Sequence, residues 1–374
     1  MANKGEWSEL YTAKKLLADG KLYLAGEDYH KNPDEWMQVL SIQRIEGNNR
    51  IVSYNINSDE DRIDIEVDST LNKSMKISRF KHIAKLFKNE IIEGSSSFDV
   101  SESTKAFLSE AEFNSSRARS SDKNDIYLTL KDPRTSIIRK NVGFSIKSEL
   151  GKPPTIFNTA TASGVKYRIS DMTDCLMSET NSLVNLSGDS AVSERCRYLL
   201  ENGCSFEYVG FANARRVKQP TFAENLDTIN PRLSTVIEKI LWNHFVEGEK
   251  NKDIDKLTDI IIEQNPCKIT YPEIKYPTMI KNFLYVCYSG MTASKIWKGE
   301  AQVKGGFINV NNAGEITAQY AIESDSFKNF LFYNCFFDYP STSKKYGDYG
   351  HVYKEGNDYF FNLNFQIKIS IKSF

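Results

Sequence analysis

Asp125 and Lys147, near the middle of the chain, are the residue types needed to break a phosphodiester. A phosphodiester is anionic and resists attack by hydroxide. A divalent cation such as Mg2+ neutralises the phosphate, orients it and lowers the pKa of the attacking water. Mg2+ takes hard oxygen ligands, commonly one or two carboxylates completed by water and phosphate oxygens, and Asp125 offers one of these. An ammonium group such as that of Lys147 stabilises charge on the phosphorane or positions the water. This chemistry requires the two side chains to share one face of one element.

A β-hairpin would provide that face. From Asp125 to Leu130, Ile126, Leu128 and Leu130 alternate with Asp125, Tyr127 and Thr129. From Gly143 to Ser148, Phe144 and Ile146 alternate with Ser145 and Lys147. Period two is the strand signal, and Lys131-Asp132-Pro133-Arg134 carries turn chemistry. A turn centred near Ser136 predicts that Asp125 lies across from Lys147 on the polar face.

This arrangement resembles the PD-(D/E)xK nuclease superfamily, in which an Asp opens one strand and a (D/E)xK triplet closes the next. Here the triplet reads Ser145-Ile146-Lys147, so a serine stands at the acid position. Residues 4–19 have the spacing of an amphipathic helix, with Trp7, Leu10, Tyr11, Lys14 and Leu17 near one stripe and Gly20 as the stop. The resemblance implies that a glutamate of such a helix binds the metal, with a Leu two turns later and a Gly one turn beyond. Glu9, followed by Leu16 and Gly20, fits better than Glu6, and Glu149 is the other candidate. The implied metal ligands are Asp125 and Glu9, with Lys147 and Ser145 beside them.

Composition limits the alternatives. With 374 residues, 40% hydrophobic and 26% charged, the chain can bury a globular core. It has no apolar run near 18 residues and no opening signal peptide, so a soluble cytoplasmic protein is expected, with no membrane partner. Cys175, Cys196, Cys204, Cys267, Cys287 and Cys335 are scattered without a CxxC pair, as for reduced and mostly buried thiols rather than a zinc site. The four histidines are far apart, which argues against a histidine metal cluster. A net charge of −1 weighs against a purely electrostatic DNA coat but leaves room for a basic cleft. The absence of a GxxxxGK[ST] loop weighs against ATP-driven remodelling.

Strands with Asn/Gly/Asp turns are expected over 36–70, and helices over 76–92 and 101–112. Arg117, Arg119 and Lys123 directly precede Asp125 and suit phosphate contact. Pro153-Pro154 excludes helix, and the polar run after it, with Asn158, suits contact with DNA. Residues 190–264 read as helical, interrupted by a basic run with Arg215 and Arg216. From Tyr271 the composition turns aromatic and strand-rich, with turns at Gly305-Gly306, Asn311–Gly314 and Gly356-Asn357.

Three segments, KGEWSELY, DIYLTLKD with VGFSIKSELGKPPTIFN, and FFDYPSTSKKYGDYGHVYKEGNDYFFNLNFQIKIS, resemble the HpaII family of type II restriction endonucleases, in the family's order. The resemblance implies Mg2+-dependent double-strand cleavage at a short palindrome (CCGG for that family), a homodimer matched to the palindrome, and a cognate DNA methyltransferase. It also implies DNA contacts from Ser341, Thr342, Lys344 and Lys345, with Gln366 either a base reader or a strand cap. The alternatives are a repair or recombination nuclease and a DNA-binding relative without catalysis. The expected fold is α+β: a PD-(D/E)xK-type mixed sheet flanked by helices over 1–170, a helical segment over 171–270, and a strand-rich, DNA-recognising part over 271–374.

Overall fold

Asn3 and Glu6 set the start of the first helix. The Asn3 side chain accepts from the Glu6 amide at 2.9 Å, and the Glu6 carboxylate accepts from the Asn3 amide at 3.0 Å. This reciprocal box satisfies two donors that a helix start leaves open. Gly20, in the left-handed region at φ 64°, closes the helix by donating to the Leu16 carbonyl. Trp7, Leu10, Tyr11 and Leu17 are buried as their spacing predicts, and Lys14 is fully buried with them.

The computed structural model describes residues 2–25, 30–46, 49–114, 124–183, 191–212, 220–247, 252–300, 303, 305–320, 324–338 and 349–370. In chain order the elements are β1 (Ala2–Asn3), α1 (Lys4–Asp19), β2 (Lys21–Ala25), β3 (Lys31–Ile45), β4 (Ile51–Asn57), β5 (Arg62–Val67), β6 (Thr70–Lys76), α2 (Ile77–Glu93), β7 (Ser97–Phe98), α3 (Glu102–Glu110), β8 (Ile126–Lys131) and β9 (Ile138–Ser148). There follow β10 (Thr155–Phe157), β11 (Val165–Ser170), α4 (Asp174–Ser182), α5 (Ala191–Glu201), β12 (Ser205–Phe211), α6 (Thr221–Ile229), α7 (Leu233–Phe245), α8 (Ile254–Gln264) and α9 (Pro272–Tyr288). The last are β13 (Gly306–Val310), β14 (Ile316–Tyr320), α10 (Ser324–Asn334), β15 (Cys335–Asp338), β16 (Val352–Glu355), β17 (Asp358–Leu363) and β18 (Gln366–Ile369). The fold is mixed α+β.

The chain forms two compact units, Met1–Pro154 with Ala301–Phe327, and Thr155–Glu300 with Lys328–Phe374. The first is built on a nine-stranded sheet in the order β2-β14-β13-β9-β8-β3-β4-β5-β6, in which β2 also pairs with β3. β3, β8 and β9 run antiparallel to their neighbours in turn, whereas β13 lies parallel to β9. Parallel neighbours need a crossover, and here the crossover carries residues 155–300. One face of the sheet, with Leu128, Phe144, Ile146 and Ile308, forms a single core with α1 and α2. Lys14 lies in that core, with its Nζ 4.4 Å from the Phe87 ring centre and 4.7 Å from that of Phe113. Burial, and then the nearby Arg44 guanidinium, push the Lys14 amine well below its ordinary value. Arg44 is itself paired in the core with Glu46.

The second unit holds the sheets β10-β18-β15 and β12-β11-β17-β16 with helices α4 to α9. Phe157 stacks on Phe365 and meets Phe222 in its core. The Tyr167 hydroxyl donates to Glu238 at 2.9 Å, and burial raises the Glu238 carboxyl above the usual range.

The structure departs from the sequence reading in three places. Ser205–Phe211, inside the stretch read as helical, is β12. Beyond Tyr271 the first element is the 17-residue helix α9, and α10 is a second helix where strands were expected. Gly306 opens β13 rather than forming a turn, and β13 and β14 belong to the first unit's sheet instead of a C-terminal part. The turn at Asn311–Gly314 forms as expected, with the Gly314 amide donating to the Asn311 carbonyl. All six cysteines are free thiols, four of them buried. Among the described residues no helix is long and apolar enough to cross a membrane.

Candidate active site

β8 and β9 form the expected hairpin, with a register two residues from the one expected. Lys131 pairs with Ile138 and Ile126 with Phe144. The turn is centred between Arg134 and Thr135, and the ladder shifts once between Leu128 and Leu130. Asp125 therefore faces Ser145. Lys147 lies two residues further along the same face, roughly 7 Å away at the rise of a strand.

Asp125 is held at the point where the hairpin ladder ends. Its amide donates to the Phe144 carbonyl at 2.9 Å. Its Oδ2 accepts from the Ile146 amide at 2.6 Å and from the Ser145 hydroxyl at 3.1 Å. The carboxylate thus takes the place of the next backbone acceptor in the ladder, and the two donors fix Oδ2. Among the described residues Oδ1 accepts no hydrogen bond. Past this point β9 keeps β13 on one edge and, among the described residues, has no strand on the other.

Two glycines allow this packing. A Cβ on Gly143 would meet the Asn124 side chain at 2.4 Å, so the residue before Asp125 lies directly over Gly143. A Cβ on Gly305 would meet Val142 at 2.4 Å and the Gly143 carbonyl at 2.6 Å. The Gly305 amide donates to that carbonyl at 2.9 Å, which sets the β13 register beside β9. In that register Asn309 pairs with Lys147.

The three candidate glutamates differ in placement. Glu6 accepts from the Asn3 amide and the Asn3 side chain at the helix start, so its carboxylate is committed there. Glu149 continues the alternation of Ser145 and Lys147, but four residues along a strand put it roughly 13 Å from Ser145. Glu9 is half-buried on α1, which packs against β3 and β9.

These observations meet the comparisons with known proteins. The sequence profile of the HpaII restriction endonuclease family matches residues 3–369. The chain belongs to that family. The type II restriction enzyme HpaII of Haemophilus parainfluenzae is 32% identical to it over 374 residues, 98% of each chain. No solved structure matches. The protein is accordingly a type II site-specific deoxyribonuclease, of a class that generally uses divalent metal ions.

Several expected DNA contacts of this HpaII-family enzyme, namely Arg117, Arg119, Lys123, Arg215, Arg216, Ser341, Thr342, Lys344 and Lys345, lie outside the described residues. Asn158 is exposed just after β10. Gln366 lies across from Asp338 and donates to its Oδ2 at 2.9 Å, and Lys368 reaches the same oxygen at 2.5 Å. The sequence reading missed the part played by Gly143, Gly305 and Asn309. Gly305-Gly306 was visible as a glycine pair, but nothing local shows that its partner is Gly143.

Proposed function

We propose that this enzyme cuts both strands of a short palindromic DNA site in a Mg2+-dependent reaction centred on Asp125, Lys147 and Glu9. CCGG is the site that the family resemblance suggests. The carrying observation is the Asp125 carboxylate, fixed through Oδ2 by Ser145 and Ile146, with no hydrogen bond to Oδ1 among the described residues.

The residues present suit a hard divalent cation. Among the described residues no three His, Cys, Asp or Glu side chains form a cluster able to hold a metal. A Mg2+ site does not need one, because water and phosphate oxygens complete it. Asp125 and Glu9 would hold the ion, which when bound supplies charge neutralisation and a more acidic water. The packing of α1 against β9 supports this pairing, because it sets the helix that carries Glu9 against the strand that carries Lys147. Asp125 keeps one orientation, Lys147 places positive charge where the phosphate gains negative charge, and Ser145 orients Asp125 in place of the family superfold's second acid.

The sheet topology supports the reading as a PD-(D/E)xK core. α1 precedes three strands that are antiparallel neighbours in the sheet, β3, β8 and β9, with β4 to α3 inserted between the first two, and after a crossover β13 lies parallel to β9. Contacts from Arg117, Arg119, Lys123, Asn158, Arg215, Arg216, Ser341, Thr342, Lys344, Lys345 and Gln366 to DNA belong to this proposal. So do a homodimer matched to the palindrome and a partner methyltransferase protecting the host.

Purified enzyme with Mg2+ should convert plasmid or phage DNA into discrete fragments whose sequenced ends share one palindrome. Asp125→Ala and Lys147→Ala should abolish cutting and keep DNA binding. Smeared digestion of every substrate, or wild-type cutting by either variant, refutes the proposal.

A further inference from the structure

The polar face of the sheet does not end at Lys147. β13 lies parallel to β9, with Asn309 paired to Lys147, and on β14 Thr317 lies across from Asn309. Residues paired across strands project to the same face. Asn309 therefore stands beside Lys147, while Ile308 and Val310 on either side of it enter the core. Asn309 is 6% exposed, and its side-chain Nδ2 is buried without a hydrogen-bond partner among the described residues. A buried amide donor is rarely left unpaired. Its neighbour on β9 is a lysine, which can only donate. The unsatisfied Asn309 donor, about one strand spacing from the Lys147 ammonium, calls for an acceptor of its own.

We propose that the Asn309 side-chain amide is a second donor to the scissile phosphate, contacting a non-bridging oxygen next to the one that Lys147 faces. This deepens the proposed function and rests on its placement of Lys147 at the reacting phosphate. The ligand class follows from the chemistry: an anion with several oxygens accepts from an ammonium and an amide together. Asn309 transfers no proton. Its donation strengthens as the phosphorane gains negative charge, which lowers the barrier rather than tightening ground-state binding. The contribution comes from a strand that lies beyond the whole crossover.

The test uses the full-length enzyme, a plasmid that the wild type cuts, and single-turnover cleavage with enzyme in excess. Binding is measured with Ca2+ in place of Mg2+, and melting is followed on the same samples. Removing one preorganised donor typically costs about 10²–10³-fold in rate, so Asn309→Ala should cut that much more slowly. Its binding in Ca2+ should stay within about threefold, and it should melt no lower than wild type. Asn309→Asp, the same shape with an anion facing the phosphate, should be slower still. A rate for Asn309→Ala within threefold of wild type overturns the inference, as does Asn309→Asp cutting as fast as Asn309→Ala. A slow Asn309→Ala that also melts several degrees lower assigns the residue to packing and overturns it too. Asp125→Ala and Lys147→Ala run alongside. If they are inactive while Asn309→Ala is not, only this inference falls. If they cut normally, the proposed site itself is wrong.

Discussion

Ser145→Ala separates two meanings of the serine at the acid position. In one, Ser145 is a lost ligand and its hydroxyl is idle. In the other, favoured by the geometry, the hydroxyl holds Asp125. The magnitude follows from the two donors on Oδ2. The Ile146 amide at 2.6 Å survives the substitution, so the carboxylate keeps its closer partner and leaves the ladder end intact. What is lost is the 3.1 Å bond from a side chain that is 6% exposed. A bond to a charged group contributes about 1.5–3 kcal/mol, and with one donor remaining the loss should lie near the lower end. Expressed as a barrier, about 1.4–2 kcal/mol is a roughly 10- to 30-fold slower reaction, within the usual cost of about 10- to 100-fold for removing a partner that orients a metal ligand. Single-turnover cleavage titrated with Mg2+ is the assay, and Ser145→Ala should be slower by that factor and need more Mg2+ for half-maximal rate. A Ser145→Ala enzyme with wild-type rate and Mg2+ dependence refutes the orienting role.

Other perturbations test other parts of the structure. Glu9→Gln should lose at least tenfold in cleavage rate and need more Mg2+, while Glu149→Gln, roughly 13 Å along the strand from Ser145, should stay within a few-fold. The reverse pattern in a Mg2+ titration would move the ligand to Glu149. Lys14→Met should raise stability at pH 7 by roughly 1–4 kcal/mol, because desolvating a charge exceeds what its contacts return and Arg44 already has Glu46. The folded state holds the Lys14 amine below its ordinary value, so between that lowered value and about 10.4 the unfolded chain binds more protons. Wild-type stability should then rise with pH over that window, and the gap to Lys14→Met in urea unfolding should narrow from pH 7 to 9.5. A widening gap contradicts the assignment. Gly305→Ala drives a methyl into the Gly143 carbonyl. It should cost on the order of 1–3 kcal/mol and slow cleavage by disturbing the β9–β13 register, and unchanged melting would show that the close approach is not required.

What the sequence made legible follows the range of each signal. α1 was readable because its stripe and its stopping glycine are local. The β8–β9 hairpin was readable because alternation on both sides of a turn needs no distant information. Its register was not, because the irregularity between Leu128 and Leu130 shifts the pairing without a sign in composition. α9 was read as strand since prolines, tyrosines and β-branched residues crowd it. Yet Tyr276, Met279, Ile280, Phe283, Leu284 and Cys287, all buried, recur at helical spacing. Pro272 sits in the first turn, where a missing N–H costs nothing. β12 carried a readable signal too, since Ser205 and Glu207 alternate with Phe206 and Tyr208.

The pairing of β13 beside Lys147 could not be read at all, and the reason is topological. β9 and β13 are parallel, so at least a crossover must separate them. This chain places the larger part of a second compact unit within that crossover. Asp125 and Lys147 come from one hairpin, whereas Asn309 arrives about 160 residues later and is set against them by Gly305 on Gly143. Alternation in Phe307–Val310 is hidden as well, because the strand is buried on both faces and so reads as a short mixed run. A catalytic motif in a single sequence therefore marks the hairpin that carries it. The strand that completes the same face is fixed only by contacts between distant residues, and the crossover must close before that face exists.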